Sequence, residues 1–168
     1  MKELLTSSIT TGLLAREICR NDIEFICSWV RTQRMLSMVS GDIGCGLSPK
    51  ILKKWIEDSI CTIVITDSNN YPIGFCTLTT KELPTLKHKH VELCHLVVNP
   101  NYYPKYDIAK QLCYQAIKKG NNFGFSFIVG RVVPINEFGN ILAERLNWNE
   151  LFEPLVYPVN FNWYIKNL

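Results

Sequence analysis

The sequence predicts a mixed α/β (α+β) fold: one mostly antiparallel sheet of six or seven strands, flanked by about four helices. Three stretches carry that reading. Residues 61–79 read as an antiparallel hairpin, and residues 151–165 as a second pair of strands. Residues 91–133 read as strand, helix, strand, which demands a parallel pair joined by a crossover.

The elements follow in order. Residues 12–19 alternate as a first strand, and Asn21-Asp22 offers capping chemistry for a helix bearing Ile23, Ile26 and Val30. Residues 37–47 hold three glycines and little periodicity, so a loop is expected there. Ser48-Pro49 then opens a second helix with Ile51, Leu52, Trp55 and Ile56 at helical spacing. Residues 61–66 are rich in β-branched side chains, Asp67-Ser68-Asn69-Asn70 turns the chain, and residues 72–79 return it. Residues 91–98 form a strand ended by Asn99-Pro100, and a helix spans about 107–119 and closes at Gly120. Residues 125–133 read as a strand, 136–146 as a short helix, and 151–165 as two aromatic strands around Tyr157-Pro158.

With 168 residues, 47% hydrophobic and 20% charged, the chain has the size and composition of one globular domain over residues 1–168. Its net charge of +3 comes from scattered residues, which speaks against a nucleic-acid binder. The seven cysteines are odd in number, form no C-x-x-C pair and fall mostly in apolar stretches, so free thiols in a reducing, cytoplasmic compartment are expected. No apolar run approaches the ~20 residues of a membrane span. A monomer or a homodimer fits equally.

The element order, the stretch Leu96-Val97-Val98-Asn99-Pro100-Asn101-Tyr102 before a helix, and residues 136–148 resemble the GNAT superfamily of acyl-CoA-dependent N-acyltransferases over nearly the whole chain. The resemblance implies a sheet splayed between its fourth and fifth strands. It implies backbone amides at Val97 and Val98 that orient a thioester, with the following helix start holding the diphosphate. The physics agrees, because consecutive amides and aligned peptide dipoles attract an anion. The family loop Q/R-x-x-G-x-G/A falls on Pro104, Lys105, Tyr106, Asp107, Ile108 and Ala109, and only Ala109 conforms. Asp107 stands where a glycine is usual, and its carboxylate either lies near the diphosphate or caps the helix. The C-terminal family pattern falls on Asn136, which the resemblance places beside the donor, while Ala143 replaces the usual tyrosine acid.

The implied activity is transfer of an acetyl or longer acyl group, from acetyl-CoA, a longer acyl-CoA or an acyl carrier protein, to a primary amine of a small molecule or peptide, with no metal. An amine arrives protonated, so a base is needed, and Glu92 and His95 are the candidates. Glu92 is either half-buried at the site or exposed on the other face. His95 titrates near ~6.5 unperturbed, yet a histidine in an apolar strand is often a core residue. In a regular strand the two face opposite ways, and only a bulge brings them together. Relatives in the resembled superfamily often have one there. Asp42 in the glycine-rich loop and Tyr157 are candidate acceptor contacts. Lys87-His88-Lys89-His90 is too sparse for a metal site, and Cys94 reads as packing. The alternative function is a scaffold of the same fold that holds a peptide or protein, suggested by Pro104, Asp107 and Ala143.

Overall fold

The computed structural model describes residues 12–40, 44–80, 89–102, 104–151 and 161–168. Within them lie β1 (Leu14–Arg16), α1 (Asp22–Trp29), α2 (Gln33–Ser40), α3 (Pro49–Glu57), β2 (Cys61–Thr66), β3 (Pro72–Thr79) and β4 (His90–Val98). After them come α4 (Lys105–Asn122), β5 (Phe127–Val132), α5 (Glu137–Arg145), β6 (Asn149–Leu151) and β7 (Asn162–Asn167). Asp42, Tyr157, Lys87 and His88 fall outside the described residues.

One sheet holds seven strands in the order β1-β2-β3-β4-β5-β7-β6. Every neighbouring pair is antiparallel except β4 and β5, the pair that the crossover helix α4 requires to be parallel. The β2–β3 turn forms as its residues dictate. Asp67 Oδ1 accepts from the amides of Asn69 and Tyr71, and Asn70 takes the left-handed conformation that asparagine tolerates.

Among the described residues there are five helices, where about four are expected. The addition is α2, which overlaps the segment read as a loop from residue 37. Thr32 starts it by accepting the Met35 amide, and Leu36 is fully buried. The glycines that suggested a loop begin only after Ser40. The first strand is also shorter than expected, because only Leu14–Arg16 pair with the β2 edge.

The helices divide between the two faces of the sheet. Ile26 and Trp29 of α1, Leu36 of α2, and Leu52 and Trp55 of α3 pack with Val64, Phe75 and Val97 on one face. Ile108, Leu112 and Ala116 of α4 pack with Ile63, Ile65, Ile73, Cys76, Leu78 and Val91 on the other. Each fully buried aliphatic side chain contributes about 1.5–3 kcal/mol. Gly74 lets α4 settle close to β3, since a Cβ there would stand 2.7 Å from Ile108 Cγ2.

Two irregularities in β4 define the site. First, β4 pairs with β5 only from His90 to Leu93, against Phe127 to Gly130, although both strands run on to Val98 and Val132. The sheet therefore splays between β4 and β5. Second, the β3–β4 register shifts between Thr77↔Cys94 and Phe75↔Val97, so Cys76 spans both His95 and Leu96. His95 sits at this bulge with φ 54. All seven cysteines are free, and among the described residues no helix is long and apolar enough to cross a membrane.

Candidate active site

A cavity of about 290 Å³ fills the gap between the splayed strands and is lined from both sheet faces. On the face of α1–α3 it meets Trp29, Val30, Met35, Met38, Glu92, His95 and Arg131. On the face of α4 and α5 it meets Leu96, Val98, Lys105, Asn136, Ala143 and Tyr164. Two reactants can thus approach one point from opposite sides of the sheet.

The bulge decides what the first face contains. Glu92 pairs with Thr79 and Cys94 with Thr77, so these four side chains share a face. Regular alternation would send His95 to the other side. The extra residue instead swings it beside Thr77, whose Oγ1 lies 2.8 Å from His95 Nδ1. The Thr77 hydroxyl also donates to the Cys94 carbonyl at 3.5 Å. In the tautomer where Thr77 accepts from Nδ1–H, the basic nitrogen is Nε2. The imidazole stacks on Trp55, with centroids 4.1 Å apart and planes 7° from parallel, which fixes the ring plane.

Glu92 has a different setting. It is 1% exposed, and its Oε1 lies 2.5 Å from Arg131 Nε. Arg131 comes from β5, and Glu92↔Val129 register places it on the same face. Its guanidinium lies 5.2 Å from the Phe161 ring centroid and 5.7 Å from that of Trp163. Burial, the largest single effect, works to weaken its charge, but Glu92 and Cys94 together outweigh it and raise its pKa. The Cys94 thiol is pushed up to about 12, by burial first and by Glu92 second, so it offers no nucleophile at neutral pH.

On the second face, the Asn99 amide donates to the Ile73 carbonyl, which turns Asn99 toward β3. By strand alternation Val97 also turns toward β3, while Val98 and Leu96 present their amides to the gap. Of the two amides expected to orient a thioester, only that of Val98 faces it; the Val97 side chain packs with Phe75 in the opposite core.

Helix α4 begins at Lys105 with Pro104 as its cap residue, and Pro104 supplies no side-chain cap. Asp107 therefore sits in the first turn and is not the N-cap. Ile108 and Ala109 are buried in the core, Tyr106 lies under the Arg145 guanidinium at 5.0 Å, and Lys105 borders the cavity. Asn136 also borders it, but its side-chain oxygen accepts the Gly139 amide at 3.0 Å as the cap of α5. Asn140, one turn on, accepts from Asn162 and from the Tyr164 hydroxyl at 2.9 Å. Burial, aided by Glu150 and Glu144, pushes the Tyr164 phenol up.

Arg131, Thr77 and Tyr164 carry no expectation from the sequence, and Trp55 is expected only as a residue on a helix face. Arg131 had the clearest signal, a lone charge inside the otherwise apolar strand of residues 125–133. No group of three metal-ligating side chains gathers among the described residues.

The splayed parallel pair and the cavity through it are the geometry that the sequence resemblance implies. The profile described as the Acetyltransferase (GNAT) family matches residues 29–147, and the chain belongs to that family. A GNAT family N-acetyltransferase from Escherichia coli, solved in complex with CoA, is 17% identical, with a TM-score of 0.63 over 93% of this chain and 81% of that one. The spermidine N-acetyltransferase of Vibrio cholerae, solved with CoA and spermine, is 18% identical, with a TM-score of 0.68 over 93% and 95%. The N-acetylglutamate synthase of Neisseria gonorrhoeae, solved with CoA and N-acetyl-glutamate, is 17% identical, with a TM-score of 0.68 over 93% of this chain and 35% of that one. No match is found among curated proteins.

Proposed function

We propose that this protein is an N-acyltransferase that moves an acetyl or longer acyl group from an acyl-CoA thioester to a primary amine by direct attack. The observation that carries the reading is the cavity through the β4–β5 gap, with a histidine on one face and the open start of α4 on the other. The donor lies on the α4–α5 face. There the Leu96 and Val98 amides orient its pantetheine arm, and the first-turn amides of α4 with Lys105 meet the diphosphate. The family neighbours solved with CoA support this side of the reading.

The acceptor comes from the face of α1–α3. Its nitrogen attacks the thioester carbonyl carbon, the C–N bond forms, the C–S bond breaks, and the thiolate leaves. His95 Nε2 takes the proton the nitrogen must lose. Glu92 is the weaker candidate base because its charge is already committed to Arg131 and almost no surface is open to a substrate. Ala143 offers no hydroxyl to the leaving thiolate, and on that face Tyr164 is the phenol that borders the cavity. Like any phenol it is protonated at neutral pH, but burial makes it a weaker acid and its hydroxyl already donates to Asn140 Oδ1.

Isothermal titration with acetyl-CoA and with a long-chain acyl-CoA tests the reading and selects the acyl length. Micromolar binding is the expected result. Asp107→Asn should tighten binding by about 2–5-fold, since it removes a like charge beside the diphosphate worth roughly 0.3–1 kcal/mol. Absence of binding by either donor, in the wild type and in Asp107→Asn, would overturn it. The second reading, a scaffold that holds a peptide or protein, would then stand, and the Asp107 carboxylate and the Ala143 methyl are what favour it.

A further inference from the structure

The charges around the acceptor side of the cavity are unequal in what they can still bind. Glu92 is buried to 1% exposure and ion-paired, so it offers nothing to a cationic substrate. Arg131 keeps 30% of its side chain exposed and borders the same cavity. Its Nε faces Glu92 in the ion pair, which leaves the guanidinium edge with its terminal nitrogens turned to the cavity side for another acceptor. Among the described residues Glu92 is its only carboxylate partner. The rings of Phe161 and Trp163 hold the plane of the guanidinium. A guanidinium anchored at one nitrogen and braced by aromatic faces is pre-organised to receive a carboxylate through two parallel hydrogen bonds.

His95 opens on the same sheet face, and the bulge brings it there. The base for an amine and a fork for a carboxylate therefore line one small chamber, walled on its other side by Trp29, Met35 and Met38. A polyamine would find no uncompensated carboxylate among the described residues of this wall, and would meet the positive field of Arg131 instead.

We infer that the acceptor is an amino acid or a similarly small amine that carries its own carboxylate, and that Arg131 is the residue that selects it. This rests on the N-acyltransferase reading above. Arg131 binds the carboxylate, the amino group lies toward His95, and an apolar side chain occupies the Trp29–Met35–Met38 wall.

The test uses the full chain with acetyl-CoA and matched sets of acceptors. Each set holds an amino acid, its amide and its decarboxylated amine, and spermine is included as a polycation. Release of free thiol and mass detection of the acyl product give kcat and KM for each. The expected result is a preference of at least about tenfold in kcat/KM for the acid over its amide and amine, carried by KM, as loss of one charge-assisted pair implies. Arg131→Lys should keep part of that preference. The double variant Glu92→Gln/Arg131→Gln leaves no unpaired buried charge, and in it the ratio of acid to amide should fall toward one.

Equal or better use of the amide or amine by the wild-type protein would overturn the inference. So would a preference that survives in the double variant, or binding of acetyl-CoA with no turnover of any acid. Failure to bind acetyl-CoA is a different result, because it removes the N-acyltransferase reading along with this one.

Discussion

Replacing Arg131 with methionine keeps much of its apolar stem and removes the partner of a carboxylate that is 1% exposed. Breaking a buried ion pair from one side costs about 3–5 kcal/mol, because the remaining charge is left uncompensated. Arg131 keeps 30% of its side chain exposed, so water can reach part of the vacated space. The expected loss is therefore lower, roughly 2–4 kcal/mol, still set by the desolvation of an unpaired charge. For a domain of this size each kcal/mol moves the melting temperature by about 2–4 °C, which predicts a drop of roughly 5–15 °C for Arg131→Met. Glu92→Gln in the same background removes the orphaned charge and should restore most of that drop. The assay is a double-mutant cycle by urea denaturation and calorimetry, with all four proteins at one pH and one salt concentration. A coupling energy of at least about 1.5 kcal/mol is expected for two charges in one buried contact. A coupling below about 0.5 kcal/mol, or a double variant no more stable than Arg131→Met, would show that the pair is solvated and that Glu92 is open to substrate after all.

Other outcomes follow from the same geometry. His95→Gln should lower kcat by about 10²–10⁴ and remove the acidic limb of the rate profile. Thr77→Val should keep His95 yet shift that limb, since Nδ1 loses its partner; an unchanged profile would argue against Thr77 as the tautomer-setting residue. On the far edge of the sheet, Asp22 is bound by Arg16 at 2.6 and 2.9 Å and by the Cys19 amide at 2.8 Å. Burial works to raise its carboxyl pKa, but the Arg16 and Cys19 bonds win and hold it below the ordinary value. Stability from a depressed carboxyl is present above the unfolded value of about 3.9 and is lost as pH falls through the native one. The melting-temperature gap between wild type and Asp22→Asn should thus be constant from neutral pH to about pH 5 and should narrow below about pH 4. A gap that is unchanged into strong acid would mean the ion pair contributes nothing.

What could be read from the sequence was local, and what could not was register. The β2–β3 hairpin follows from Asp67, Asn69 and Asn70, and α3 follows from Ser48, whose side chain accepts the Ile51 amide. The parallel β4–β5 pair follows from the crossover length. Helix α2 is not legible locally, since glycines follow it closely and the burial of Leu36 comes from tertiary packing. Arg131 and Glu92 are distant in sequence and meet only through the pairing of β4 with β5, which no residue in either strand announces. Only a bulge lets His95 and Glu92 share a face, and whether it forms depends on how β4 docks against β3. Aspartate favours the cap position, but α4 starts earlier, at the fixed backbone of Pro104, which leaves Asp107 in its first turn. Asp42 and Tyr157 lie outside the described residues.

Omit His95 and β4 reads as a flawless alternating strand. Val91, Leu93, Leu96 and Val98 would face α4, and Glu92, Cys94 and Val97 would face α1–α3, with every other side chain where it is now. The histidine is thus a supernumerary residue, a single bead threaded into a strand that closes without it. It holds a left-handed backbone angle that costs a non-glycine residue about 1–3 kcal/mol. Removing it whole, rather than exchanging it, would relieve that strain and would forfeit the Trp55 stack and the Thr77 bond. The scaffold and the proposed base are thus separable by one codon, and the scaffold alone carries less backbone strain.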